Sequence, residues 1–452
     1  MSFIAPIIAL GFIVIVATLL LKKWYPHAVL LIAGLLMLIV AWAMDLQLPS
    51  LMKSTGSTGL DLFRYIKESF SETNAGVGLM IMAIGGFVAY IDHIGASGAL
   101  VHLAIKPLSL LKKYPHLSAS AVIPIGQVLF VCIPSAAGLG LLLMASVYPI
   151  LRNIGVSNLS AVSVITACTA FGIGPASAIT ASAVTIAGEA PVSYFVQHQI
   201  PLVIPLSIVV AVAFYFVNRH FDKTEDQKPV DVSKKGSVKA PLIYALIPIL
   251  PLILLIAFSS LFQLFETPIL LDTSTAMFIS LFVAIIFELI RKRNFKEVFQ
   301  SLKVFWNGMG NIFKTVVTLI IAADIFAKGL ISLQFIDGLV YVAQHMGLAA
   351  IGVGVVMTVM IFLASMLMGS GNASFFAFAP LVPDMAVKLG VKSTSIILPM
   401  NLAASMGRTV SPVAGVLIAT AEIAEVSTLQ IVKRNIIPLG SALVVMLLYH
   451  YI

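Results

Sequence analysis

The sequence predicts an all-α polytopic membrane protein made of two inverted repeats, each with five crossings and one re-entrant hairpin. Three observations carry that prediction. The chain of 452 residues is 60% hydrophobic and only 10% charged, against about 25% charged for a soluble domain. Apolar runs of roughly 20 residues, the length that spans a hydrocarbon core about 30 Å thick, recur from end to end. The same order of features then occurs twice along the chain. The net charge of +8 does not point to nucleic acid, because the basic residues sit in short clusters between apolar spans. Cys132 and Cys168 lie in apolar segments with neither disulfide nor metal spacing and read as small packed hydrophobes.

The first repeat, residues 1–217, opens with two plain spans, Ile4–Leu21 and Ala28–Met44. The first of these has no basic n-region and no small-residue cleavage pattern, so it reads as a retained span. An amphipathic stretch and a third span, Gly76–Ile91, follow. Next comes a long apolar region, about 118–152, interrupted at "IPSAAGLG", and then a segment, about 159–188, interrupted at "FGIGPASA". A plain span closes the repeat. The charged, aromatic-poor stretch 218–240 contains Pro229 and Gly236 and reads as a solvated cytoplasmic linker. The second repeat, 241–452, repeats the order: Pro241–Phe262, Thr273–Leu289, Met309–Phe326, a hairpin at about 348–388 broken at "MGSGNASF", and a segment at about 393–422 broken at "MGRTVSPVAG".

Charge sets the orientation. Lys22-Lys23, Lys106, Lys112-Lys113, Arg152, the linker, Arg291-Lys292-Arg293 and Lys433-Arg434 belong on the cytoplasmic side. To satisfy them, the first broken region enters from the cytoplasm and returns to it, with its tip near Ser135. An odd number of crossings then inverts the second half, whose hairpin enters from outside with its tip at Gly369–Asn372. Lys388 and Lys392 fall outside and run against the rule. Broken spans at corresponding positions of inverted halves point to a transporter site at the midplane.

Unwound backbone at membrane depth is tolerated only inside protein or beside a water-filled cavity. Two hairpin tips and two breaks therefore converge on a central site. Freed amides and helix N-termini there suit an anion: Ser135 and Ala136 at the first tip, Ser370, Gly371 and Asn372 at the second, and Gly174 in the first break. Arg408 is a cation with no other charge for 15 residues before it or 13 after it. About 15 residues of helix is roughly 22 Å, too deep to snorkel. A guanidinium at that depth marks a substrate path and grips a carboxylate with two parallel hydrogen bonds. Thr409 and Asn401 flank it as neutral partners. The alternative is a structural pair with an intramembrane acid, the best being Asp324, which Lys328 already claims. The hydroxyls of Ser135, Ser370, Ser374, Thr409 and Ser411 suit a small hard cation, and Ser135, Ser370, Asn372 and Ser411 are the candidates for a weak sodium site. Asp92-His93 reads as an interfacial polar cap and Glu189 as a solvated loop acid.

The combination "SMGRTVSPVAG", "GSGNASFFAFAPL" and "FGIGPASAITASAVTIAG" resembles the DcuC family of anaerobic C4-dicarboxylate carriers, within the ion transporter superfamily, over the length of the chain. The resemblance implies a scaffold domain and an elevator-type transport domain, in a homodimer in the bacterial inner membrane. It implies succinate, fumarate, malate or aspartate as substrate, with succinate efflux favoured, and no cofactor beyond coupling by H+ or Na+. The second tip matches the superfamily's small-residue tip with an Asn, here Asn372; the first tip has Ser135 but no Asn. The role of Arg408 does not come from the resemblance. The alternatives are a sodium-coupled carboxylate symporter, an exporter of another organic anion, and an anion channel. An enzyme is disfavoured by the lack of paired intramembrane acids, of an HExxH motif and of a nucleophile with a base. With only neutral oxygens at the tips, proton-coupled or potential-driven efflux is favoured over tight sodium symport.

Overall fold

The computed structural model describes residues 4–111, 113–222, 240–259, 269, 271–345 and 350–451. The linker 218–240 therefore lies largely outside the described residues. Ten helices among the described residues are long and apolar enough to cross a membrane, and no strand occurs among them.

The first half runs α1 (Ile4–Leu21), α2 (Pro26–Ala43), α3 (Thr58–Thr73), a π-helical turn at Asn74–Gly78, α4 (Leu79–His93) and α5 (Ala96–Ala104). The first hairpin is α6 (Pro115–Cys132) and α7 (Ala136–Asn153), and the first broken helix is α8 (Asn158–Ala167) and α9 (Ala178–Ala187). The half closes with α10 (Pro191–Ser193), a π-helical turn at Tyr194–Gln199, and α11 (Ile200–Phe221).

The second half gives the same order: α12 (Leu250–Ala257), α13 (Thr273–Lys292), α14 (Phe295–Ile312), a π-helical turn at Phe313–Val317, α15 (Thr318–Ser332) and α16 (Phe335–His345). Its hairpin is α17 (Ala350–Met368) with α18 (Gly371–Phe378) and α19 (Val382–Leu389). Its broken helix is α20 (Ser393–Thr409) and α21 (Gly415–Ile423), and α22 (Thr428–Tyr451) ends it. Even the irregularities recur. A π-helical turn joins α3 to α4 and α14 to α15, and a left-handed residue, Gly95 (φ 81°) or Gln334 (φ 57°), precedes α5 and α16.

Contacts between the halves are reciprocal. Helix α2 lies along α15, and its counterpart α13 packs on α4; α11 lies along α22. Without a hydrophobic force between helices in lipid, close approach of backbones drives such pairing. At α2 this depends on Gly34, where a Cβ would sit 2.6 Å from the Ile325 carbonyl. The contacts also sort the helices into two groups. One contains α1–α4 and α12–α15. The other contains both hairpins, both broken helices, α11 and α22.

Two expectations need correcting. The span expected at Pro241–Phe262 is a 3-10 turn at Leu242–Leu246 followed by the short α12. Pro248 and Pro251 remove backbone donors there and restrict the residues before them, which favours the interruption; residues 260–262 of the expected span lie outside the described residues. The second break begins at Val410, so Arg408 and Thr409 lie in the last helical turn of α20 rather than in unwound chain.

Candidate functional site

The hairpin tips are built alike. Ser135 (φ −117°, ψ 105°) caps α7, its hydroxyl accepting from the Gly138 amide; Ser370 (φ −135°, ψ 108°) caps α18, accepting from the Ala373 amide. Each hydroxyl thereby satisfies one of the first amides and leaves others at the helix N-terminus, including those of Ala136 and Gly371, aimed along a positive dipole end. The approach to each tip differs. Pro134 precedes Ser135, whereas Gly369, in the left-handed region at φ 71°, precedes Ser370. A Cβ on Gly371 would meet the Ala404 carbonyl at 2.7 Å, so the second tip is pressed against α20. Asn372 is half-buried there and its side chain is tied to no other described residue. Behind it the Ser374 hydroxyl lies against that of Ser365 and within 3.2 Å of the Ser370 carbonyl and 3.1 Å of the Gly371 carbonyl.

One face of α20 carries Asn401, Ser405 and Arg408, spaced four and three residues apart and so stacked along the helix. All three meet the first break rather than the second hairpin. Asn401 Nδ2 donates to the Gly172 carbonyl (3.1 Å), Ser405 Oγ lies 2.4 Å from where a Cβ on Gly172 would sit, and Arg408 Nη2 donates to the Thr169 carbonyl (2.6 Å). The Arg408 guanidinium carbon stands 6.0 Å from the Phe130 ring on α6. Arg408 Nε and Ser405 Oγ are buried without a hydrogen-bond partner among the described residues. Unpartnered buried polar atoms are rare and call for an explanation such as a ligand. Sequence reasoning singled out Asn401 and Arg408 but passed over Ser405, which the spacing alone would have placed between them.

Other expected site groups are consumed within the protein. The Gly174 amide donates to Gln199 Oε1 (2.9 Å), and Asn401 Oδ1 accepts from Gln199 Nε2 (2.8 Å), so both ends of the Asn401 amide are engaged. Thr409 Oγ1 donates to the Ser405 carbonyl (2.9 Å), and Ser411 Oγ accepts from the Val413 amide (3.3 Å). Gln199 and Asn435 are not singled out by the sequence, since each closing span starts with more than one amide side chain, Gln197 and Gln199 in the first half and Gln430 and Asn435 in the second.

Of the acids, Asp324 is held by Lys328 as its spacing predicts, whereas Asp92 and Glu189 differ from expectation. Asp324 is bound by Lys328 and Ser69, which removes it as a partner for Arg408. Asp92 is no plain interfacial cap: it accepts from Ser97, and its Oδ2 lies 3.5 Å from the Cβ position of Gly138, beside the first tip. Glu189 is tied to the start of α20, accepting from Thr394 Oγ1 (2.8 Å) with His198 Nε2 at 3.1 Å. Arg434, expected at the cytoplasmic surface, is buried in an ion pair with Asp222 (3.1 Å). Among the described residues no three His, Cys, Asp or Glu side chains gather as metal ligands.

Comparison with known proteins gives a consistent picture. The family model described as "DcuC: C4-dicarboxylate anaerobic carrier" matches residues 5–452. The chain is 34% identical over 450 residues to the Escherichia coli K12 protein named anaerobic C4-dicarboxylate transporter DcuC, covering 99% of this chain and 96% of that one. It is 35% identical over 433 residues to a Vibrio cholerae protein named "Probable anaerobic C4-dicarboxylate transporter DcuC", covering 94% of this chain and 93% of the other. The fold is similar to the crystal structure of the Alcanivorax borkumensis YdaH transporter, with TM-score 0.59, 16% identity and coverage of 94% and 98%. It is also similar to Neisseria gonorrhoeae MtrF, with TM-score 0.57, 13% identity and coverage of 94% and 95%.

Proposed function

Because this chain belongs to the DcuC family of anaerobic C4-dicarboxylate carriers, a family of multi-pass bacterial inner-membrane transporters rather than enzymes, we propose that it moves succinate and related dicarboxylates, with efflux as the physiological direction, through a site centred on Arg408. One observation carries the site assignment. Arg408 offers a fork of donors of which the Thr169 carbonyl takes Nη2 while Nε stays buried and unpartnered, with the unpartnered Ser405 hydroxyl one turn earlier on the same face. A carboxylate arriving there displaces the carbonyl and claims both nitrogens, the geometry for which a guanidinium is suited. The free Asn372 amide and the N-terminus of α18 at Ser370–Gly371 are available to the second carboxylate, and Ser135–Ala136 closes the site from the first hairpin.

The two packing groups supply the moving parts. The hairpins, broken helices, α11 and α22 form the transport domain; α1–α4 and α12–α15 form the scaffold, which also provides the homodimer contact. Reciprocal packing of the halves supports an inverted repeat, and the transport domain slides as an elevator to expose the site alternately. The inside-negative potential drives a dianion outward, so efflux needs few or no cations; this favours proton-coupled or potential-driven transport. The Ser365–Ser374 pair beside two carbonyls favours a second reading, weak sodium coupling, at that position alone.

Arg408→Lys keeps the charge and loses the fork, so it weakens succinate counterflow in proteoliposomes. Arg408→Ala nearly abolishes it, since loss of one partner of a buried charged hydrogen bond costs on the order of 2–5 kcal/mol, roughly 30- to several thousand-fold. A folded Arg408→Ala protein that transports succinate within about threefold of wild type would falsify the assignment.

A further inference from the structure

We infer that Gln199 and Asn435 are positioning residues, a crossed pair of amide latches that fasten each helix break to the opposite half, so that the two breaks hold Arg408 and the first break as one binding surface. Each amide binds its own half's break and crosses to the other half, Gln199 through both its oxygen and its nitrogen and Asn435 through its nitrogen alone, its Oδ1 being buried without a partner among the described residues. Gln199 stands at the end of the π-helical turn that opens the closing helix of the first half, and it is fully buried. Its Oε1 accepts from the Gly174 amide in its own half's break (2.9 Å). Its Nε2 donates to Thr180 Oγ1 (3.0 Å) and, across the halves, to Asn401 Oδ1 on α20 (2.8 Å). Asn435, equally buried, sits near the start of the closing helix of the second half. Its Nδ2 donates to the Thr409 carbonyl at its own half's break (2.9 Å) and, across the halves, to Thr166 Oγ1 on α8 (3.0 Å).

The chemistry explains why both positions carry an amide. A break frees backbone groups that a continuous helix would satisfy, and in the membrane interior no bulk water replaces the lost partners. A carboxamide offers donors and an acceptor without a charge, so one side chain can serve a break and still reach the neighbouring helix. Asn435 holds the carbonyl of Thr409, the residue next to Arg408. Gln199 and Asn401 together hold the Gly174 amide and the Gly172 carbonyl, next to the Thr169 carbonyl that Arg408 engages. A π-helical turn at Gln199 fits the tendency of such turns to mark functional positions. A local role, in which each amide only satisfies its own break, predicts no effect on the other half.

The test separates the two roles and does not depend on transport. Hydrogen–deuterium exchange of the purified full chain, without substrate, is followed in peptides covering residues 168–177 and 405–415. Gln199→Met or Asn435→Leu should each raise exchange in both peptides. Asn401→Leu, which cuts the crossing while leaving Gln199 free to hold the Gly174 amide, should raise exchange in 405–415 and leave the Gly174 amide protected. In proteoliposomes, Gln199→Met, which removes three hydrogen bonds, and Asn435→Leu, which removes two, should each raise the half-saturating succinate concentration at least about tenfold, with turnover at saturation reduced less. Asn435→Leu should also shrink the additional cost of Arg408→Lys. If Gln199→Met and Asn435→Leu each raise exchange only in the break of their own half, the latch is local and the inference is overturned; a shift in half-saturation of less than twofold, with Arg408→Ala inactive, overturns its kinetic arm. The inference rests on Arg408 meeting the substrate only for its kinetic arm. Should Arg408 prove structural, the exchange arm still decides whether the breaks are fastened together.

Discussion

Set side by side, the two halves share a skeleton and divide the chemistry unequally. Both tips carry a capping serine with nearly the same backbone angles. Counting four residues back from Pro175 and Pro412 brings Phe171 opposite Arg408. Counting back equally from the left-handed residues Gly95 and Gln334 brings Gly85 and Ala89 opposite Asp324 and Lys328. Pro134 stands opposite Gly369, and Ala137 opposite Asn372. The first half supplies apolar walls and backbone carbonyls, and the second supplies the cation, the free amide and the intramembrane ion pair. A shared order of elements brings two breaks together, while the side chains that the proposed site assigns to a dicarboxylate are ones the other half does not repeat.

The largest effect that would test this division lies at the tips. Gly371 faces the Ala404 carbonyl at 2.7 Å from a built Cβ, and Gly369 has φ 71°. Neither tolerates a side chain: backbone atoms cannot yield as a flexible side chain would, and a left-handed non-glycine residue carries strain of about 1–3 kcal/mol. Gly371→Ala should therefore abolish counterflow or folding, while Ala136→Gly at the matching position of the first tip should leave at least half of wild-type activity. Equal losses at both tips, measured on protein normalised for folded yield, would show that the tips are chemically equivalent.

A smaller effect is expected at Asp324. Its carboxylate is half-exposed and held by Lys328 and Ser69. Removing one partner strands the other charge at membrane depth, whereas removing both leaves a neutral pair, as the first half already has. Asp324→Asn or Lys328→Met should each lower folded yield several-fold, and the double variant should recover most of it. Should the double variant be as poor as the worse single one, the pair serves transport directly and Asp324 re-enters the site.

Much of this was legible before any coordinates. The interruptions "IPSAAGLG" and "MGSGNASF" fall between α6 and α7 and between α17 and α18, because spans in lipid must be apolar and their interruptions need Gly, Pro or Ser. What stayed hidden has physical causes. Gly407 and Pro412 both look like breakers in the sequence and put Arg408 in unwound chain, yet the helix persists to Thr409 and only then yields to the proline. Gln199 and Asn435 each stand in an apolar span, where one amide carries no periodic signal; their partners lie about 200 residues away or on another helix. Asn401 and Gly174 were plausible substrate contacts by type, and only geometry shows their polar groups already engaged.

The smallest expected effect concerns sodium. The first tip offers Ser135, whose hydroxyl is spent on capping α7, and no amide side chain; the second offers Ser374 and Ser365 beside the carbonyls of Ser370 and Gly371. A hard cation of this kind is best served by about six oxygen ligands, preferably with carboxylates among them. Here every candidate oxygen is neutral, and the Ser374 hydroxyl already leans on those same carbonyls. Any sodium bound at the second tip must displace contacts that stabilise the hairpin, so its affinity is low. Replacing sodium by potassium at fixed pH and clamped potential should change succinate flux less than twofold, and Ser374→Ala should change it little more, whereas Ser135→Ala should show no ion dependence at all. Strict sodium dependence of net flux with saturation in the low millimolar range would overturn the proton- or potential-driven reading. Loss of that dependence in Ser374→Ala but not in Ser135→Ala would then place the coupling ion in the second half, beside Arg408, and deepen the asymmetry between the halves.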